Sequence, residues 1–171
     1  MLETLALLGE FLGGTAVIVG VLFAVIQIRD RNQERQREVA LELVHSFQTV
    51  QFAEALHILS QLPLGLDKKT IEEQLAGDFR LIYALMATWE SIGILVFRRE
   101  IRLGLVDDFF SGSILMSWER LKGFVAEDRE QGGRDTYWEW FQWLSERMTE
   151  RESAKPPVPA HIEHRGWKAE T

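Results

Sequence analysis

From Phe11 to Ile28 the chain carries no charge, and the apolar character reaches back to Leu2 with Glu3 and Glu10 as its carboxylates. At 1.5 Å of rise per residue, such a run nears the length needed to cross a hydrocarbon core of roughly 30 Å. The pattern predicts one transmembrane helix over residues 1–28. A buried core helix and a secretory signal peptide are the alternatives. A signal peptide begins with positive charge and ends at a small-residue cleavage site. This run begins with Glu3 and passes straight into Gln27-Ile28-Arg29-Asp30-Arg31, so a retained anchor is the expectation.

Beyond a basic juxtamembrane segment, residues 29–38, the periodicity changes to that of amphipathic helices. Val39–Leu62 reads as one helix with two rotated apolar stripes, Leu43, Phe47 and Val50, then Phe52, Leu56 and Leu59. Pro63 and Gly65 end it. Asp67 or Thr70 can cap the next helix, Ile71–Arg99, and Glu73 completes a capping box if Thr70 is the cap. Its apolar row Ile71, Leu75, Phe79, Ile82, Met86, Trp89, Gly93 and Val96 is flanked by a second, Leu81, Leu85, Ile92 and Leu95. A helix apolar on two faces belongs at a bundle centre or in a membrane. Leu81–Phe97 holds one charge, Glu90, whose cost in mid-span favours the bundle.

A break is expected over Ile101–Leu105, with Gly104 as a left-handed cap and Asp107 or Asp108 capping the following helix. That helix runs to about Glu130 with Phe110, Ile114, Trp118, Leu121 and Val125 at core spacing, and Gly132 and Gly133 stop it. A last helix, Asp135 to about Arg151, places Tyr137, Phe141, Leu144 and Met148 on one face. The fold class is therefore all-α: a transmembrane helix, then a cytoplasmic bundle of about four helices over residues 39–151. Residues 152–171 contain three prolines and scattered apolar residues, and are expected to be a flexible tail.

Charge sets the expected topology. Arg29, Arg31, Arg35 and Arg37 follow the span, and no Lys or Arg precedes it. The positive-inside rule then puts the bundle in the cytoplasm and the amino terminus outside, in a bacterial inner membrane. Within the span Gly9 and Gly13, and Ala16, Gly20 and Ala24, recur every fourth residue. Small residues at that spacing allow close helix association in lipid, or simply reflect the composition of membrane helices. Glu10 lies near enough to the outer end to reach water.

Composition narrows the chemistry. A chain of 171 residues with 46% apolar content supplies one span and one modest core. Cysteine is absent, which removes disulfides, thiolate catalysis and cysteine zinc sites. A net charge of −7 argues against a general nucleic-acid partner. No nucleophile elbow, phosphate-cradling glycine loop or His-Glu-x-x-His occurs, so neither an enzyme nor a cofactor is expected. Glu90 is read as a structural ion pair or capping group between packed helices in preference to a catalytic acid. Asp107 and Asp108 point about 100° apart on a helix and do not form a ligand pair. His161 and His164 with Glu163 lack a rigid frame for a metal, and His45 and His57 are isolated. The run Tyr137-Trp-Glu-Trp-Phe-Gln-Trp143 is too aromatic for one helix face, so at least one of Trp138, Trp140 and Trp143 is expected outside the core. Internal packing, a partner interface and membrane-surface contact compete for them.

The segment Val21-Leu-Phe-Ala-Val-Ile-Gln-Ile-Arg29, then Trp89-Glu-Ser-Ile-Gly-Ile-Leu-Val96, Leu105-Val-Asp-Asp-Phe-Phe110 and Ile114 to Trp118, resembles in order and spacing a family of uncharacterised bacterial membrane-anchored proteins that carry a domain of unknown function. The likeness covers residues 15–145 and implies a helical domain behind one membrane helix. It supplies no catalytic residue. Together these readings favour a membrane-anchored interaction module that forms a homo-oligomer or docks another membrane protein complex, with the lipid bilayer as its constant partner. The rival is a small channel or transporter subunit whose amino-terminal helix lines a pore.

Overall fold

The computed structural model describes residues 20–29, 31, 38–39, 41–42, 45, 47 and 49–169. The chain divides into two compact units, Met1–Ser46 and Phe47–Thr171. In the first, Gly20–Arg29 forms an apolar helix, α1. Val21, Leu22, Phe23, Val25, Ile26 and Ile28 are spread round its circumference and each exposes half or more of its surface. A helix apolar all round is suited to lipid or to a protein interior. Gly20 and Ala24 lie one turn apart on α1. Gly9, Glu10, Gly13, Ala16, Arg35 and Arg37 lie outside the described residues.

The second unit is all-α among its described residues. The helix expected over Val39–Leu62 is divided at Thr49, and α2 is Val50–Gln61. Thr49 is extended (φ −102°, ψ 145°) and its Oγ1 accepts a hydrogen bond from the Phe52 N–H at 3.2 Å. That side-chain bond satisfies a donor that a continuous helix would have given to the backbone. The break also reconciles the two rotated stripes: Phe47 and Phe52, on either side of it, both reach Trp89, with ring centroids 5.9 and 5.6 Å away.

Asp67 is the cap of the next helix, α3 (Lys68–Leu75), its Oδ1 accepting from the Thr70 N–H at 2.7 Å. The expected continuous helix Ile71–Arg99 is broken at Ala76, which has a positive φ of 41°. A 3-10 turn, Ala76–Asp78, leads into α4, Phe79–Phe97. The two helices serve different neighbours, α3 packing on α5 and α4 on α2 and α6, so the chain has to turn between them.

The reading of the next break is also corrected. α4 closes in a Schellman arrangement whose left-handed residue is Arg99 (φ 61°), the Glu100 N–H reaching Leu95 O and the Arg99 N–H reaching Val96 O. Gly104 is not a cap but lies inside α5, Leu103–Gly132, together with Asp107 and Asp108. Arg102 precedes α5 in an extended conformation with no side-chain cap. Gly133, at φ 63°, ends α5 as its glycine suggested. The last long helix begins later than Asp135: α6 is Glu139–Ala154, and a single turn, α7 (Ala160–Glu163), follows.

α4 packs along α2 and α6, and α5 packs along the same two. α4 and α5 thus face one another across the diagonal of a four-helix arrangement. α6 runs antiparallel to α5, Arg129 meeting Gln142 near one end and Asp107 meeting Arg151 near the other. Trp89 of α4 is fully buried and its indole N–H donates to Ser117 Oγ of α5 at 3.2 Å, while Ser117 donates onward to the Ser113 carbonyl. Ile82, Met86, Ile114, Leu121, Phe141, Leu144 and Met148 complete the interior. By length and composition the stretch Lys68–Phe97 is apolar enough to cross a membrane. Within this fold its apolar rows form the centre of the bundle.

Candidate functional site

Four residues of α4, Tyr83, Glu90, Gly93 and Phe97, fall at spacings of seven, three and four, which is one helix face. Each meets the segment 138–143. Tyr83 packs edge-on to Trp138 with centroids 4.9 Å apart. Glu90 Oε2 accepts the Phe141 N–H at 2.7 Å. Gly93 lets the backbones close: a Cβ there would fall 2.9 Å from the Trp140 carbonyl carbon. Phe97 packs against Trp140 and Trp143, at 4.8 and 6.0 Å.

The first turn of α6 explains why Glu90 is needed. Its N-cap position is Trp138, left-handed at φ 58° and without a side-chain oxygen to accept from the turn above. Glu90 supplies that acceptor from a neighbouring helix, serving the N–H groups of Phe141 and Trp140. Burial raises the Glu90 pKa above the ordinary carboxylate value, the two backbone hydrogen bonds oppose the rise, and the charge of Glu139 adds to it.

Beside Glu90 opens a cleft of about 640 Å³, lined by Lys68, Tyr83, Glu90, Asp128, Tyr137 and Trp138 among others. Lys68 Nζ donates to Asp128 Oδ1 at 2.7 Å and to Gln131 at 3.3 Å, and the Trp138 indole N–H donates to Asp128 Oδ2 at 3.0 Å. That pairing raises the Lys68 pKa, the hydrogen bond to Asp128 being the largest cause. The Tyr137 ring lies on Gly132, where a Cβ would come 3.2 Å from Cδ2. At the other end of the face, Phe97, Trp140 and Trp143 form a cluster at the surface, with Phe97 58% exposed and the Arg147 guanidinium 5.7 Å from the Trp143 ring.

The family described as Domain of unknown function (DUF4760) matches residues 14–148. The chain belongs to this family. No curated protein and no solved structure matches it. The DUF4760 match takes in α1 to α5 and most of α6, and with them the whole Tyr83–Phe97 face and its partners in 138–143. α7 lies beyond the match.

The structure separates the remaining sequence-derived candidates of this DUF4760 protein. None of Trp138, Trp140 and Trp143 is fully buried, and Trp138 stands at the cleft while the other two form the surface cluster. Arg29 and Arg31 are exposed. Asp107 binds Arg151 Nε at 2.9 Å, and Asp108 is exposed. His45, His57, His161 and His164 are exposed, and Glu163 is held by Lys155 at 2.6 Å. Among the described residues no group of three or more metal-ligating side chains is gathered. Sequence reasoning missed Tyr83, Lys68 and Asp128. Tyr83 was within reach, seven residues from Glu90 on the same face, but the Lys68–Asp128 pair spans sixty residues and leaves no local signal.

Proposed function

We propose that this DUF4760 chain is a membrane-anchored interaction module, which uses its helical bundle to self-associate or to dock another membrane protein complex. The observation that carries the reading is the surface cluster of Phe97, Trp140 and Trp143. Large aromatic side chains that pack on one another at a surface, outside the core, are the usual anchors of protein interfaces. The anchor itself rests on the uncharged run Phe11–Ile28 and on the apolar residues round α1. Arg29, Arg31, Arg35 and Arg37 support a cytoplasmic bundle in a bacterial inner membrane.

Cross-linking of the full chain in native membranes should give discrete higher-mass species. The double variant Phe97→Ala with Trp143→Ala should abolish them while leaving far-ultraviolet circular dichroism unchanged. Monomer alone in the wild type, with no second protein cross-linked, would end this reading. Release of the chain by alkaline carbonate would remove its membrane premise.

A further inference from the structure

The cleft beside Glu90 is separate from the aromatic cluster, and its chemistry is of a different kind. Three of its lining residues are charged, Lys68, Glu90 and Asp128. Lys68 and Asp128 neutralise one another at 2.7 Å, and both oxygens of Asp128 are occupied, one by Lys68 and one by the Trp138 indole. Glu90 is different. Its contacts are backbone N–H groups, and among the described residues no Lys, Arg or His lies within ion-pair distance of it. The nearest opposing charge, Arg129, acts on it only from beyond ion-pair distance, its guanidinium being bonded to the Tyr137 carbonyl and to Gln142 Oε1, so of the three charged lining residues Glu90 alone has no direct ionic partner. Around it stand three aromatic side chains, Tyr83, Tyr137 and Trp138.

An acid set among aromatic faces selects a cation with an apolar surface, because the rings attract positive charge through their quadrupoles and the carboxylate through its full charge. Among the described lining residues the one cation, Lys68, is already paired with Asp128, so an anion would meet no free positive charge there. The volume is within the range of roughly 300–1,000 Å³ seen for small-molecule sites. We propose that this cleft binds a small organic ammonium ion, its charged head at Glu90 and its methyl or methylene groups against Tyr83, Tyr137 and Trp138. The ligand would supply the counter-charge that burial withholds from the carboxylate.

Choline is a suitable probe, because 3,3-dimethylbutan-1-ol has the same shape without the charge. Titration calorimetry on the full chain in non-ionic detergent should show saturable binding of choline, about tenfold or more tighter than the alcohol, which corresponds to roughly 1.4 kcal/mol. Glu90→Gln keeps an acceptor for the Phe141 N–H and removes the charge, so choline should fall to the level of the alcohol. Tyr83→Leu leaves that hydrogen bond untouched and should weaken choline several-fold. Circular dichroism of both variants should match the wild type. Equal affinity for choline and its neutral counterpart, no binding of choline at millimolar concentration, or full affinity in a folded Glu90→Gln variant would each overturn the proposal.

Discussion

Glu90 holds the first turn of α6 from another helix, and its two roles there, acceptor and charge, come apart on substitution. Glu90→Ala leaves the Phe141 and Trp140 N–H groups without their partner and should destabilise the bundle by about 1–2 kcal/mol. Glu90→Gln retains the acceptor and removes a carboxylate that burial disfavours in its ionised form, so at pH 7 it should leave stability unchanged or raise it. The pH dependence has a definite sign. The pKa of Glu90 is raised on folding, so its stabilising contribution is complete below the ordinary value of 4.5 and is lost as pH rises through the folded value. The stability of the wild type relative to Glu90→Gln should therefore fall as pH rises from below 4.5 and then level off, which urea denaturation at a series of pH values measures directly. Gly93 is the second exacting position. Gly93→Ala forces a Cβ into the Trp140 backbone and should cost about 1–3 kcal/mol, the penalty of overpacking.

At the scale of elements, the helix boundaries follow side-chain oxygens and backbone handedness more closely than they follow apolar spacing. Thr49→Ala removes the acceptor that starts α2 and should lower stability by about 1 kcal/mol, with Thr49→Ser close to wild type, both read from thermal or urea unfolding. Arg99 occupies the left-handed position that ends α4, a place usually given to glycine. Arg99→Gly should raise the unfolding midpoint slightly, since it relieves a left-handed conformation that disfavours any residue with a Cβ. The existence of α2, α4, α5 and α6 was legible from apolar rows at three- and four-residue spacing. The breaks at Thr49 and Ala76 were not. A periodic row passes through a turn whenever the residues on both sides face the same core, as Phe47 and Phe52 do around Trp89. Asp107 misled for a related reason: an Asp after a glycine reads as a cap, yet its carboxylate is taken by Arg151, forty-four residues away.

On the scale of the whole molecule, α1 and the bundle pose different solvation problems. The apolar circumference of α1 is suited to lipid or to a protein interior, whereas the apolar rows of α4 are buried inside the four-helix arrangement. On the proposed membrane-anchored reading, moving the charge balance at the end of α1, by Arg29→Glu with Arg31→Glu, should redistribute a carboxy-terminal reporter between the two sides of the membrane. An unchanged distribution would show that these arginines do not set the orientation. What the sequence determined by itself is the fold class, the apolar rows of the helices and an excess of tryptophan over what one helix face can bury, because all three depend on residue type and local spacing. Only the tertiary structure decided that Tyr83, Glu90, Gly93 and Phe97 act as one face, and what that face touches. The capping of α6 by Glu90, the Lys68–Asp128–Trp138 network and the cleft they frame arise where α4, α5 and the start of α6 converge. Contacts between residues forty to sixty positions apart depend on how helices pack, and periodicity along a single helix carries no record of that.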